Sequence, residues 1–434
     1  MEWTGLNVFQ RVTRHWDTIH PYNAAQVMKL AGRADRQSLL SLWRETLTQL
    51  KMTSVQRWGS VYRWEEGISQ PEFIDVPPDT TLQQLMSEEL DRTFDETLNM
   101  PFRAFVIEEE NSYYAGIVYH HWVADSYSIR LLLREWFFRI HDPSQARRRP
   151  FQTPATGYWN LFGPDKVQWR LDESVINLFR WHSQFRRARR IEAKAFQDFT
   201  SNFSLYRAPN GLIQRVAKAA KRRKVTVNDV FLAAMAQVCD ELLPAQRIAT
   251  RPDIALGTVV DLRGRARCEL RETFGLFLGF TSVVCREKEL GDWDRLLDHV
   301  HHQNDRQRKN HAAEASMVRM FAALVTAKLM PPKRLLEFYR KRFAMAAGIS
   351  NVNLNADWPG RFHPHPLLDY VRVSPAGPWM PLVFTPTTLG DGLNIGITSR
   401  RSVLDPQRVG ALAAEFVDRL QRFAENAEMV EGSQ

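Results

Sequence analysis

Cysteine is scarce: the 434 residues hold three, Cys239, Cys268 and Cys285. An odd number argues against a disulfide framework, and the spacing is unlike that of a metal site. Long apolar runs are missing too. Nothing approaches 18 consecutive apolar residues, so no transmembrane helix is expected. The opening segment, Met1 to Trp16, reads as neither a signal peptide nor a lipidation site. The expected location is cytoplasmic, with peripheral contact at the inner membrane surface as a further option. There is no Gly-x-Ser-x-Gly elbow, which weakens a hydrolase reading. No solenoid repeat is visible. No zinc finger, RNA-binding sheet motif or compact helix-turn-helix is present, so nucleic acid is not an expected partner.

What the chain does have is apolar mass and positive charge. It is 44% hydrophobic, enough for two cores of ordinary size. Lys and Arg number 58 against 49 Asp and Glu, a net charge of +9. Basic residues cluster at Arg147 to Arg149, Arg186 to Arg190, Arg215 to Lys224 and Lys333 to Arg342. A solvated basic face explains such clusters, and so does an acidic partner or a membrane surface.

Chemistry concentrates between Pro101 and Glu135. Two strand patterns flank a turn at Glu110-Asn111-Ser112, the second running from Tyr113 to Tyr119. His120-His121-Trp122-Val123-Ala124-Asp125 follows, then an apolar-periodic helix with Ile129, Leu131, Leu132, Leu133 and Trp136. A rigid strand aims a side chain and the loop after it leaves room for a substrate. Imidazole titrates near neutrality, which suits a base that takes a proton from a hydroxyl or amine. Asp125, four residues on, could orient that imidazole as in a triad. His120 points opposite to His121 if both lie on a strand, so the pair is poorly placed to chelate one metal ion. A second cluster, His299, His301, His302 and Asp305, sits in a polar helix pattern. It offers too few ligands on one face for a closed zinc site, and solvated surface is the expectation. His15 and His20 show no partner in the sequence.

In chain order, Asp35 caps a helix with Leu39, Trp43 and Leu47 inward. Residues 58–76 suggest short strands, and Thr81 to Phe94 a helix burying Leu82, Leu85, Met86 and Leu90. Residues 141–176 are polar and irregular, a domain boundary, which divides the chain into 1–165 and 175–434. Val175 to Phe196 reads as a basic helix covering the seam, with a peripheral membrane helix as the alternative. Gly211 to Leu243 is helix, break, helix, with Thr226 and Asp229 forming the second cap. Ile254 to Val284 is a strand pair around a charged turn. Leu393 to Ser399 is a strand, Pro406 to Phe423 an amphipathic closing helix, and residues 425–434 read as frayed.

The motif His120-His121-x-x-x-Asp125 resembles the HHxxxD motif of the thioester-dependent acyltransferase superfamily. That superfamily includes chloramphenicol acetyltransferase, the plant BAHD enzymes, wax ester synthases and nonribosomal peptide synthetase condensation domains. Pro101-Phe102-Arg103, Val225 to Ala234, Asp261-Leu262-Arg263 and Ser350-Asn351-Val352 match its flanking segments. Ser126 and Gly279 depart from it, standing where the family has glycine and asparagine. The resemblance spans residues 7–425. It implies an α/β fold of two chloramphenicol-acetyltransferase-like halves, each a mixed sheet with flanking helices, and an active-site channel between them. It implies an acyltransferase with His121 as general base and Asp125 paired to Arg263 in structural support. His120 and Ser126 are secondary motif positions, the Ser126 amide being a candidate oxyanion donor. No resident cofactor or metal is expected. The donor is acyl-CoA or an acyl group on phosphopantetheine, and the acceptor a small alcohol or amine. An acidic acyl-carrier protein is a candidate partner. The alternative is a non-catalytic condensation-like domain that docks partners.

Overall fold

The computed structural model describes residues 2–432 apart from 67–70, 96–99, 155–160, 163–182, 184, 192–194, 196, 244–249, 343–344, 357, 359–365 and 379. The basic segment from Val175 to Phe196 therefore lies largely outside the described residues, as does much of the boundary region.

Among the described residues, three sheets organise the chain. A small antiparallel one joins β1 (Thr4–Gly5), β4 (Val61–Glu65) and β3 (Ser54–Trp58). The sheet of the first half runs β13 (Leu367–Val373), β2 (Asn23–Ala31), β7 (Ser112–His120), β6 (Phe102–Glu108), β5 (Glu72–Phe73). Among its described strands, only β5 and β6 pair in parallel. The sheet of the second half runs β10 (Leu278–Cys285), β9 (Ile254–Asp261), β11 (Ala347–Ile349), β14 (Leu382–Leu389), β15 (Gly392–Arg400), β8 (Ser201–Arg207), with β12 (Val352–Asn353) on β14. Parallel pairs on either side of β11 make this sheet mixed as well. The expected two-lobed α/β arrangement is thus observed, with one exchange: β13 comes from late in the chain yet pairs with β2 of the first sheet.

β7 is buried along its whole length. Its run of tyrosines, alanine, isoleucine and valine suits a central strand covered on both faces. One face carries α2 (Arg36–Leu50) and α4 (Ser126–His141), whose Trp43 and Trp136 rings meet at 5.1 Å. The other carries α3 (Leu82–Asp91), whose Leu82, Leu85, Met86 and Leu90 are buried with Phe203 of β8. In the second half, α5 (Leu212–Arg222), α6 (Val227–Leu242) and the long α10 (Pro406–Gly432) build the largest core. α6 starts at the anticipated capping box: Thr226 and Asp229 exchange hydrogen bonds of 2.9 and 3.1 Å. α10 corrects the expectation of a frayed end. It stays helical to Gly432, and Arg215 of α5 grips Glu428 through two bonds of 2.9 and 3.0 Å.

α1 (Val8–Asp17) ties the halves together. It packs on α8 (Ala312–Leu329) and shares a core with β9 and β10. Its N-cap Asn7 donates to the Leu276 carbonyl at 2.9 Å, and Gln10 to the Trp122 carbonyl at 3.1 Å. The motif loop and the segment after Phe274 are thereby held to one helix.

Candidate active site

The site begins where β7 stops. His120 is the last residue paired with β2, opposite Asn23. The next amide, of His121, donates to the Tyr22 carbonyl at 3.2 Å, and the Val123 amide turns back to the His120 carbonyl at 3.0 Å. Asp125 then caps α4 by accepting from the Ser128 amide at 2.9 Å.

His121 is part-buried between Tyr22, stacked at 5.7 Å, and Tyr119, edge-on at 5.6 Å. Its Nδ1 lies 3.2 Å from the Ala124 carbonyl oxygen. A carbonyl only accepts, so Nδ1 carries the proton and Nε2 keeps its lone pair. Burial lowers the imidazole pKa below 6.5, which favours this neutral form. A side chain that keeps one nitrogen committed and the other free is arranged as a proton acceptor.

Asp125 is fully buried and turned to the second half of the chain. Arg263 binds it through both terminal nitrogens at 2.7 and 3.0 Å, and the Phe277 amide adds a bond of 2.8 Å. The guanidinium also donates to Ser128 Oγ at 2.8 Å and lies over the rings of Tyr127 and Phe277. Burial opposes its charge, but attraction from Asp125 leaves its pKa above the ordinary arginine value. Ser128 Oγ in turn donates to the Gly275 carbonyl and accepts from its amide. This geometry leaves the Asp125 carboxylate fully engaged away from His121, so a triad arrangement is not formed. The carboxylate serves as the clasp between the halves.

His120 occupies the other side of the strand end. Trp122 Nε1 donates to its Nδ1 at 3.1 Å, and Phe94 stacks on the ring at 5.4 Å. Its Nε2 lies 3.0 Å from Asp17 Oδ2, off the line of a hydrogen bond. Against the opposing effect of burial, His120 holds the Asp17 carboxyl below its usual range. A cavity of 150 Å³ opens on this side, with Arg14, Phe94, Met100 and Trp122 in its wall.

Ser126 opens α4. Its Oγ accepts from Gln26 Nε2 and from Arg372 Nε, each at 3.0 Å. Arg372 is buried on β13 and continues to the Ser350 carbonyl and Oγ, both at 2.7 Å. Burial pulls its pKa down to about 10. Gln26 and Arg372 carry no motif in the sequence, since β2 also holds Asn23 and Lys29 and β13 also holds Asp369. The Ser126 amide has no hydrogen-bond partner among the described residues.

Gly279 has a packing reason. A Cβ there would sit 2.6 Å from the Ala313 carbonyl oxygen, because α8 crosses β10 at this point. The second histidine cluster corrects the expectation of solvated surface. In α7 (Trp293–Lys309), His299 lies between the Val284 carbonyl at 3.0 Å and Glu289 at 3.2 Å, and His301 bonds Asp229 at 2.9 Å. Only His302 is exposed. Among the described residues, no group of three or more His, Cys, Asp and Glu could hold a metal ion. His20 finds Asp91 at 2.9 Å, while His15 keeps a buried Nε2 without a partner.

No protein-family model and no curated protein matches the sequence. Solved structures do match in fold. Trichothecene 15-O-acetyltransferase from Fusarium sporotrichioides aligns with TM-score 0.72 at 10% identity, over 97% of this chain and 95% of that one. The epimerization domain from the third module of tyrocidine synthetase B aligns with TM-score 0.63 at 14% identity, over 99% and 98%. The X-domain solved in complex with OxyB from teicoplanin biosynthesis aligns with TM-score 0.58 at 15% identity, over 98% and 94%. The chain has the two-lobed, chloramphenicol-acetyltransferase-like fold of condensation-type domains and of that acetyltransferase.

Proposed function

We propose that the chain is an acyltransferase that moves an acyl group from a thioester to an alcohol or amine. The observation that carries this reading is the Nδ1 to Ala124 contact, which frees His121 Nε2 as a base at the end of a rigid strand. An acceptor O–H or N–H gives its proton to Nε2 as its oxygen or nitrogen bonds to the thioester carbon. The negative charge on the carbonyl oxygen is taken by backbone amides near the motif, the unpartnered Ser126 amide first among them. Collapse breaks the carbon–sulfur bond, and the departing thiolate recovers the proton from His121. No covalent acyl-enzyme is required, because a thioester is already activated. Acyl-CoA or a phosphopantetheine-linked acyl group is the co-substrate. The net positive charge suits either donor, since CoA phosphates and carrier proteins are acidic.

The second reading is a domain that docks partners without turnover. It is favoured by the Ser126–Arg372–Ser350 bridge, which adds bulk where the family resemblance has glycine. Thiol release from a panel of acyl-CoAs and acyl-carrier proteins, with mixed alcohols and amines, decides between them. Acceptor-dependent release that disappears in His121→Ala supports transfer. Equal release from both proteins removes His121 as base, and no release from any donor favours docking.

A further inference from the structure

Large apolar side chains are seldom exposed here, and three of those that are fall on one helix. Phe321, Val325 and Leu329 of α8 are 56%, 41% and 79% exposed. Residues four apart on a helix drift by about 40°, so the three span an arc of about 80°. Lys328 is exposed about 20° beyond the edge of that arc. The opposite side of α8 is filled: Met317, Met320, Leu324 and Ala327 are buried against α1 and β10. The stripe is therefore surplus to the core.

Basic residues follow it at once. α8 ends at Leu329, and α9 (Pro332–Arg342) opens with Lys333 and Arg334, in a stretch of sequence that holds five basic residues and one acid, Glu337. Lys333 and Arg334 are exposed. A convex apolar ridge bordered by cations matches the boundary between acyl chains and anionic headgroups. Lys328 fits that setting, since its stem can lie with the apolar residues while its ammonium reaches the phosphates. A stable protein interface would need about 800 Å² from this side, more than three side chains offer. A membrane needs only the ridge and the charge.

We infer that α8 and α9 form a peripheral docking surface for an anionic lipid bilayer, with Phe321, Val325 and Leu329 entering the acyl boundary. This surface is independent of the acyl-transfer reading, because its binding is measured without turnover.

The test is co-sedimentation of the full chain with phosphatidylcholine vesicles, with and without phosphatidylglycerol. Wild type is expected to bind the anionic vesicles and to release as salt rises. Phe321→Ser with Leu329→Ser should lose at least about tenfold in partitioning. Lys333→Glu with Arg334→Glu should lose about tenfold or more, on the anionic vesicles only. Circular dichroism and melting should be unchanged in both, since the altered residues are exposed. Equal binding to both vesicle types, or both variants binding like wild type, overturns the proposal. So does a wild-type dimer by light scattering that the serine variant returns to monomer, which would make a second copy the occupant. Stripe-dependent capture of an acidic carrier protein without vesicle binding overturns it in favour of a protein partner.

Discussion

His120-His121 at the end of β7 and His301-His302 in α7 are both histidine pairs with an aspartate close behind, and their environments are opposite. In α7 the imidazoles fasten elements together: His301 binds the buried Asp229, and His299 joins β10 to Glu289. At β7 the aspartate is taken by Arg263 and the first histidine by Trp122 and Asp17. His121 commits Nδ1 to the Ala124 carbonyl and keeps the lone pair on Nε2. What separates the two clusters is which groups their neighbours engage and which ring nitrogen keeps its lone pair. That accounting requires knowing where every partner lies.

The comparison can be broken at its most sensitive point first. His121→Ala should lower acyl transfer by about 10²- to 10⁴-fold with little change in melting temperature, whereas His301→Ala should leave turnover intact. Comparable loss in both would erase the distinction. Next, Arg263→Met should destabilise the chain by about 3–5 kcal/mol, because Asp125 would remain buried without its countercharge; chemical denaturation reads this directly. A loss below 1 kcal/mol, on the order of a surface pair, would show that the clasp is not structural.

Smaller effects sharpen the contrast. Gly279→Asn, which restores the residue type of the resembling family, should cost about 1–3 kcal/mol through collision with Ala313; a neutral outcome would mean α8 yields easily. His301→Ala should cost about 1–3 kcal/mol by removing a bond to a buried carboxylate that Asn304 and the Thr226 amide still hold. The pH profile is the mildest test. Burial lowers the His121 pKa, so the neutral base persists below 6.5 and the acid limb of the rate should fall at a lower pH than that. The stability sign agrees: an unfolded chain takes up this proton first, so His121 weakens folding only as pH drops below 6.5. A limb centred above 6.5 would assign the titration to another group.

Much of this was legible in the residues. The strand–histidine–aspartate–helix order, the caps at Asp35 and Thr226, and the apolar faces of α2, α3 and α4 follow from local periodicity and short-range hydrogen bonding, which a sequence carries explicitly. The pairing of Asp125 with Arg263 was implied by resemblance and is present as a bidentate contact 138 positions apart. The parts that escaped are long-range. β13 joins β2 across more than three hundred residues, and with it comes Arg372, which reaches Ser126 and Ser350. The cluster in α7 read as a solvated face because Asp229 and Val284 are remote in sequence.

By itself the sequence determined the kinds of elements, their caps, and the presence of one His-His-x-x-x-Asp motif between a strand and a helix. The tertiary structure decided which ring nitrogen is free, which carboxylate is consumed as a clasp, and which apolar face of α8 is left uncovered. The physical reason is the same in each case. Burial, countercharge and hydrogen-bond satisfaction depend on neighbours that only long-range packing supplies.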